Sequence, residues 1–217
     1  MEVNSRKINA YCVAHSCLPD SNLLNELERE TYLTTLSPQM ISGPIQGQLL
    51  YFLSSMLKAK SILEIGTFTG YAAICLARGM DEDGVLHTIE VNEELEQLIR
   101  KYIRKADLES QIQLYMGDAK AVIPTIEGDF DIILIDAAKK DNTYYYDLLI
   151  DRLKPGGFLI ADNVLWDGKV ARGENDKVTK MIDAFNKKIQ ADIRVENLIL
   201  PIRDGIILVR KLKTSPN

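Results

Sequence analysis

Residues 61–70 read SILEIGTFTG: a strand-length apolar run that stops at Gly66 and meets a second glycine at Gly70. A continuous apolar run, without polar alternation, is what a strand buried on both faces of a parallel sheet requires. A helical pattern over 70–80 follows it. Working outward, the same unit recurs in GVLHTIE (84–90), IQLYMGD (112–118), FDIILID (130–136) and GGFLIAD (156–162). Helical patterns separate these runs, at 93–106, 119–126, 141–154 and 174–190. Alternation of this kind predicts an α/β fold, with a Rossmann-like, doubly wound and mostly parallel sheet and right-handed crossovers.

The rhythm breaks at the end. IRVENLIL (193–200) and GIILVRK (205–211) are separated only by PIRD, which is too short for a helical crossover. These two strands must form an antiparallel hairpin and bring the sheet to seven strands. Upstream, residues 1–40 read as helical, with Asp20, Ser21 and Asn22 as candidate caps before LLNELERETYL. A further helix is expected over 44–57, opened by Pro44. With no linker, repeat or low-complexity stretch, the reading is one domain over 1–217, a helical cover (1–40) on a core (41–217).

Composition bounds the function. The chain has 217 residues, 46% hydrophobic and 26% charged, and no apolar run nears the roughly 18–20 residues a membrane span needs. The opening MEVNSRKINAYCVAHSC lacks the apolar core of a signal peptide, so a cytoplasmic location is expected. Lysine and arginine number 26 against 31 acids, a net charge of -5, which disfavours nucleic acid as a partner. Cys12, Cys17 and Cys75 cannot form a disulfide framework without leaving one over. With only two histidines a nitrogen-ligated catalytic zinc is disfavoured, so any metal must be held by oxygen.

Oxygen is abundant where ligands bind. Glu64, Glu90, Asp118, Asp136 and Asp162 all sit at or beside the ends of the five parallel runs, and open α/β sheets bind ligands at the carboxyl ends of their strands. Gly66 lets the chain turn sharply and admit a ligand. Phe68, however, stands where dinucleotide folds carry the second glycine of G-x-G-x-x-G, so the ligand expected is one without a pyrophosphate. Glu90 lies where such folds place an acid on ribose hydroxyls. A phosphate-free nucleoside points to S-adenosylmethionine rather than NAD. Each residue also has a plainer explanation: a simple turn at Gly66, and helix caps at Glu90 and Asp118.

Asp136 and the pair Asp162-Asn163 end neighbouring runs. Two carboxylates and an amide oxygen make a hard site for Mg²⁺, with Mn²⁺ or Ca²⁺ as substitutes. Lys139, three residues past Asp136, is the candidate base there, an exposed surface lysine being the alternative. The run Tyr144-Tyr145-Tyr146 lies on a helix and cannot face one way. Trp166, the only tryptophan, either walls a pocket or covers the core.

These residues resemble the cation-dependent, S-adenosylmethionine-dependent O-methyltransferases of the catechol and caffeoyl-CoA type, in particular a bacterial member. The matching segments are MISGPIQGQLL (40–50), LEIGTFTGYA (63–72), Glu90, GDA (117–119), IDAAKKDNTYYYD (135–147) and ADNVLWDGKV (161–170). The resemblance implies the class I methyltransferase fold and a catalytic core over 41–217. It implies methyl-donor contacts at Ser42, Glu64, Gly66, Glu90, Asp118, Ala119, Asp136 and Tyr145. It further implies metal ligation by Asp136, Asp162 and Asn163, catalysis by Lys139 with Asp136, a small hydroxylated acceptor, and a homodimer. Plant-type members differ at Ala138, Ala72 and Asp167, where they carry an acid, a serine and an asparagine. The rival acceptor is a 5-hydroxyuridine of tRNA, met by a basic rim of Lys169, Arg172, Lys177, Lys180, Lys187 and Lys188. A non-catalytic nucleotide-binding protein and an NAD-dependent oxidoreductase are less favoured, the first by the intact ligand set, the second by Phe68 and the hairpin.

Overall fold

A computed structural model describes residues 5–18 and 20–213. Residues 1–4, Pro19 and 214–217, which the one-domain reading includes, lie outside that description. Seven strands form one sheet: β1 (Ser61–Ile65), β2 (Val85–Glu90), β3 (Ile112–Met116), β4 (Phe130–Ile135), β5 (Leu153–Asp162), β6 (Val195–Leu200) and β7 (Ile206–Lys211). Their order is β3-β2-β1-β4-β5-β7-β6. The first five pair in parallel, and β7 runs antiparallel between β5 and β6. The expected fold class is therefore observed, hairpin included.

This order defines the site. From β1 the chain winds outward through β2 to β3, then returns to place β4 on the other side of β1. The reversal opens a crevice above the carboxyl ends of β1 and β4. Side chains alternate across the sheet. Ile62, Ile132 and Leu134 pack into one apolar layer with α2 (Ser21–Thr34), α3 (Gly43–Leu57), α4 (Tyr71–Gly79) and α5 (Glu96–Lys105). Leu63, Ile65, Ile133 and Ile135 pack into the other. That second layer is covered by α7 (Asn142–Leu149) and α9 (Lys177–Ala191). Both faces of the central strands are thus buried, which is why their sequences are apolar without alternation.

The helical cover is α1 (Ser5–Ala14), α2 and a 3₁₀ turn at Pro38–Met40. Ion pairs tie α2 to the core: Arg78–Asp20, Lys105–Glu26 and Lys101–Glu30. Asp20 is the residue before α2, as expected, but it has left-handed backbone and makes no side-chain cap. Its carboxylate is spent on Arg78 instead.

Three expected helices are shortened. The 119–126 pattern yields only α6 (Ala119–Val122) before a 3₁₀ turn containing Pro124, which has no amide hydrogen to continue the ladder. The 141–154 pattern ends at Leu149, because Leu153 already pairs with Phe130 and Pro155-Gly156-Gly157 bulge out of β5. The 174–190 pattern begins only at Lys177, where Asp176 caps α9, and a separate short helix, α8 (Lys169–Arg172), precedes it and ends at Gly173, which is left-handed at φ 69°.

Candidate active site

The loops after β1 and β4 are pressed together at the crevice. The Asp136 amide donates to the Ile65 carbonyl at 2.9 Å, and the Gly66 amide donates to Ile89 at 3.0 Å. Gly66 has φ +96°, and a Cβ there would meet the Asp136 carbonyl oxygen at 2.1 Å. Glycine is therefore demanded by the neighbouring main chain. This amends the expectation that its missing side chain serves to admit a ligand.

Glu64 is fully buried on β1. Thr88 Oγ1 donates to its Oε2 at 2.5 Å, and Thr67 hydrogen-bonds Thr88 in turn. Its second oxygen, Oε1, is buried with no partner. Burial pushes the carboxyl up to about 8; the Thr88 bond opposes this, while the nearby charges of Asp136 and Glu90 add to it. A buried acid with one unused oxygen suits a cationic ligand group, which would both pair with it and ionise it.

Glu90 closes the other side. Its Oε2 accepts from the Phe68 amide at 2.7 Å and its Oε1 from the Asn92 amide at 2.8 Å. The cap of the following turn is Asn92, through the Glu94 amide, so Glu90 joins two loops instead of starting a helix. Phe68 takes a left-handed φ of 51° to present that amide. Asp118 does cap α6, accepting from the Lys120 amide at 2.9 Å, which realises its plainer explanation. Ala119 is the buried first residue of α6, and Ser42 is buried just before α3. The three tyrosines diverge as helical geometry requires: Tyr144 is exposed, Tyr145 is buried, and Tyr146 is buried with its hydroxyl on Asp192. Trp166 is half-buried with left-handed backbone and packs on the second layer.

Asp136 and Asp162 end the adjacent strands β4 and β5. Burial raises the Asp136 carboxyl; Lys139 opposes this, the Asp162 charge adds to it, and Arg203 opposes it more weakly. Lys139 Nζ lies 3.4 Å from Asp136 Oδ1, its side chain only 13% exposed; it is not the free surface lysine of the alternative reading. Asn163 turns the chain after β5 with φ 59° and donates its amide to Asp162 Oδ1 at 2.6 Å. Among the described residues no three of His, Cys, Asp and Glu are grouped to hold a metal. A cation between these two carboxylates would have to complete its shell with neutral oxygens, of which Asn163 offers the nearest in sequence. The donor set is hard and carries two crowded negative charges, so it fits Mg²⁺ or a similar ion.

Two further residues shape the site without having been legible in the sequence. Gln46, on α3, donates through Nε2 to Asp162 Oδ2 at 3.0 Å. Arg203, in the β6–β7 turn, donates to the carbonyls of Gln39, Ile41 and Ser42. The same turn accepts amide hydrogens from Val164, Leu165 and Asp167. It thus braces the segment before α3 and the loop after Asp162-Asn163 together. A cavity of about 250 Å³ lies under the helical cover here, lined by Glu28 and Tyr32 of α2, Ser42, Gln46 and Arg203 among others.

The chain is similar to known proteins over nearly its whole length. A family model described as O-methyltransferase matches residues 13–212. Caffeoyl-CoA O-methyltransferase of Stellaria longipes is 30% identical over 223 residues, covering 97% of this chain and 92% of that protein. Tricin synthase 2 of Oryza sativa subsp. japonica is 36% identical over 205 residues, covering 87% and 70%. The crystal structure of an O-methyltransferase from Bacillus cereus in complex with SAH (S-adenosylhomocysteine) aligns with a TM-score of 0.85 at 30% identity, covering 95% of this chain and 97% of that one. The SAH-bound methyltransferase PaMTH1 of Podospora anserina aligns at 0.88 and 26%, covering 98% of both.

Proposed function

Because this chain belongs to the O-methyltransferase family, we propose that it moves the methyl of S-adenosylmethionine to a hydroxyl of a small, catechol-like vicinal diol, assisted by a divalent cation. The observation that carries the reading is the meeting of Asp136, Lys139 and Asp162 at the ends of β4 and β5, across from the buried Glu64.

Glu64 and Glu90 hold the donor, the first through its unused oxygen toward the α-ammonium, the second toward the ribose. Ser42, Gly66, Asp118, Ala119 and Tyr145 complete its surroundings. Asp136, Asp162 and Asn163 would hold Mg²⁺, or Mn²⁺ or Ca²⁺, which supplies charge that lowers the pKa of an acceptor hydroxyl. Lys139 takes the hydroxyl proton. An oxygen–carbon bond forms as the sulfur–carbon bond breaks, and the sulfur keeps the electron pair. The residues' further contribution is to align oxygen, methyl carbon and sulfur.

The tRNA alternative leans on the basic rim, but Arg172, Lys187 and Lys188 are each paired with an acid, Glu174, Asp183 and Asp147. That leaves less free charge for phosphates. No helix among the described residues is long and apolar enough to cross a membrane, and a cytoplasmic location belongs to the same reading. So does pairing of two copies, supported by apolar side chains exposed on the cover and α3, including Leu33, Leu36, Phe52 and Met56.

The test is a methyl-transfer assay with vicinal diols, matched monophenols, a catechol acyl-CoA ester and undermodified tRNA, each with Mg²⁺ and with chelator. Diol methylation that needs the cation is the expected result. Methylation of tRNA alone, or diol methylation undiminished by chelator, would replace the reading.

A further inference from the structure

We infer that Gln46 is a positioning residue for Asp162 and thereby sets the cation affinity of the site, an inference that rests on the cation-assisted reading above. Gln46 lies in the second turn of α3, 116 residues from Asp162 in sequence, and is 1% exposed. Its Nε2 donates to Asp162 Oδ2 at 3.0 Å while the Asn163 amide donates to Oδ1 at 2.6 Å. Each carboxylate oxygen thus takes one hydrogen bond from a neutral donor, and the plane of the carboxylate is held by two elements, α3 and the turn after β5. An anionic ligand held this way meets a cation already oriented, without an ordering cost at the moment of binding.

Neutrality is the telling part. A lysine or arginine at this place would also orient Asp162, but its charge would satisfy the carboxylate and compete with a divalent ion for it. An amide orients the ligand and leaves its charge unspent. The assignment of the amide's two ends follows from the network, since the reversed amide would set Oε1 against Oδ2, acceptor against acceptor. With Nε2 committed, Oε1 is buried and has no partner, and Gln46 lines the cavity under the helical cover. Buried polar atoms left in this state are satisfied by a ligand or water.

The experiment uses Gln46→Met, which keeps length and loses both hydrogen bonds, and Gln46→Lys, which keeps a donor and adds charge. Mn²⁺ affinity is titrated by electron paramagnetic resonance in the presence of SAH, SAH affinity by calorimetry, and folding by thermal denaturation. Gln46→Met should weaken Mn²⁺ binding about 10- to 100-fold, the usual effect of losing a partner behind a metal ligand. Gln46→Lys should weaken it at least as much despite its donor, and it carries the readout if the methionine variant does not fold. SAH affinity should stay within about two-fold, which a general loss of structure would not allow. Wild-type Mn²⁺ binding matched by both folded variants overturns the role of Gln46 and leaves the cation reading standing. Absence of Mn²⁺ binding in the wild type overturns both.

Discussion

The carbonyl oxygen of Asp136 lies 2.1 Å from the point a Cβ on Gly66 would occupy. No side chain can be added there unless the ends of β1 and β4 separate, and those ends carry Glu64 and Asp136. Gly66→Ala should therefore cost well over the ~1–2 kcal/mol expected for a left-handed alanine alone. Gly128→Ala is the matching control, with φ +87° but nothing within 4 Å of its added Cβ. Urea denaturation of the pair separates the two contributions: equal losses would mean that β4 yields easily and that the close approach carries no constraint.

Glu64 makes stability depend on pH in the direction opposite to most carboxylates. Its folded value is raised by burial to about 8 from an ordinary 4.5, so the folded state binds its proton more tightly than the unfolded state. The stabilisation is fully present below about 4.5 and is lost as pH rises toward 8. The ligand-free protein should lose stability from this source between pH 5 and 8, and Glu64→Gln should flatten that part of the curve when urea midpoints are compared. On the proposed reading, donor binding brings an ammonium to the carboxyl and should expel its proton. Calorimetry near pH 7 in buffers of different ionisation enthalpy should then show proton release in the wild type and less in the variant. A binding heat independent of the buffer would remove Glu64 as the ammonium's partner.

The strands were legible because burial on both faces leaves a strong trace, as in FDIILID, and because PIRD is too short for anything but a hairpin. The acids beside the ends of β1, β4 and β5 were legible for the same reason, each lying where an apolar run finishes, whereas Asp118 beyond β3 serves as the cap of α6. What escaped was long-range. Gln46 reads as an ordinary helical glutamine and Arg203 as a turn residue, and nothing within ten residues of either betrays a partner 116 or 161 positions away. Asp20 shows the converse: it has the composition of a cap and the right position, yet Arg78 competes for its carboxylate and prevails. Local chemistry names candidates, and tertiary contacts choose among them.

Lys139 pairs with Asp136 inside the crevice, so its removal should be felt in turnover before binding. Lys139→Met keeps the length of the side chain and loses the nitrogen proposed to accept the proton. Turnover should fall about 10²- to 10⁴-fold, the range for loss of a general base, while SAH affinity by calorimetry changes little. Parallel losses in both would recast Lys139 as part of the donor site.

Arg203 offers the sharpest test of how the cover is held. Its guanidinium reaches three carbonyls of the segment before α3, and its own turn is bonded to the loop following Asp162-Asn163. Arg203→Ala removes three hydrogen bonds to those carbonyls while the sheet pairings of β6 and β7 stay intact. The expected result is rapid protease cleavage between residues 35 and 43, a stability loss of about 1–3 kcal/mol, and a raised acceptor KM, since Ser42 and Gln46 lie on that segment's continuation into α3. Arg203→Lys should recover little, because one ammonium on a flexible stem lacks the planar fork that spans three carbonyls. Cleavage at the wild-type rate in Arg203→Ala would show that the ion pairs of α2 suffice to hold the cover, and that the hairpin turn contributes only to the sheet.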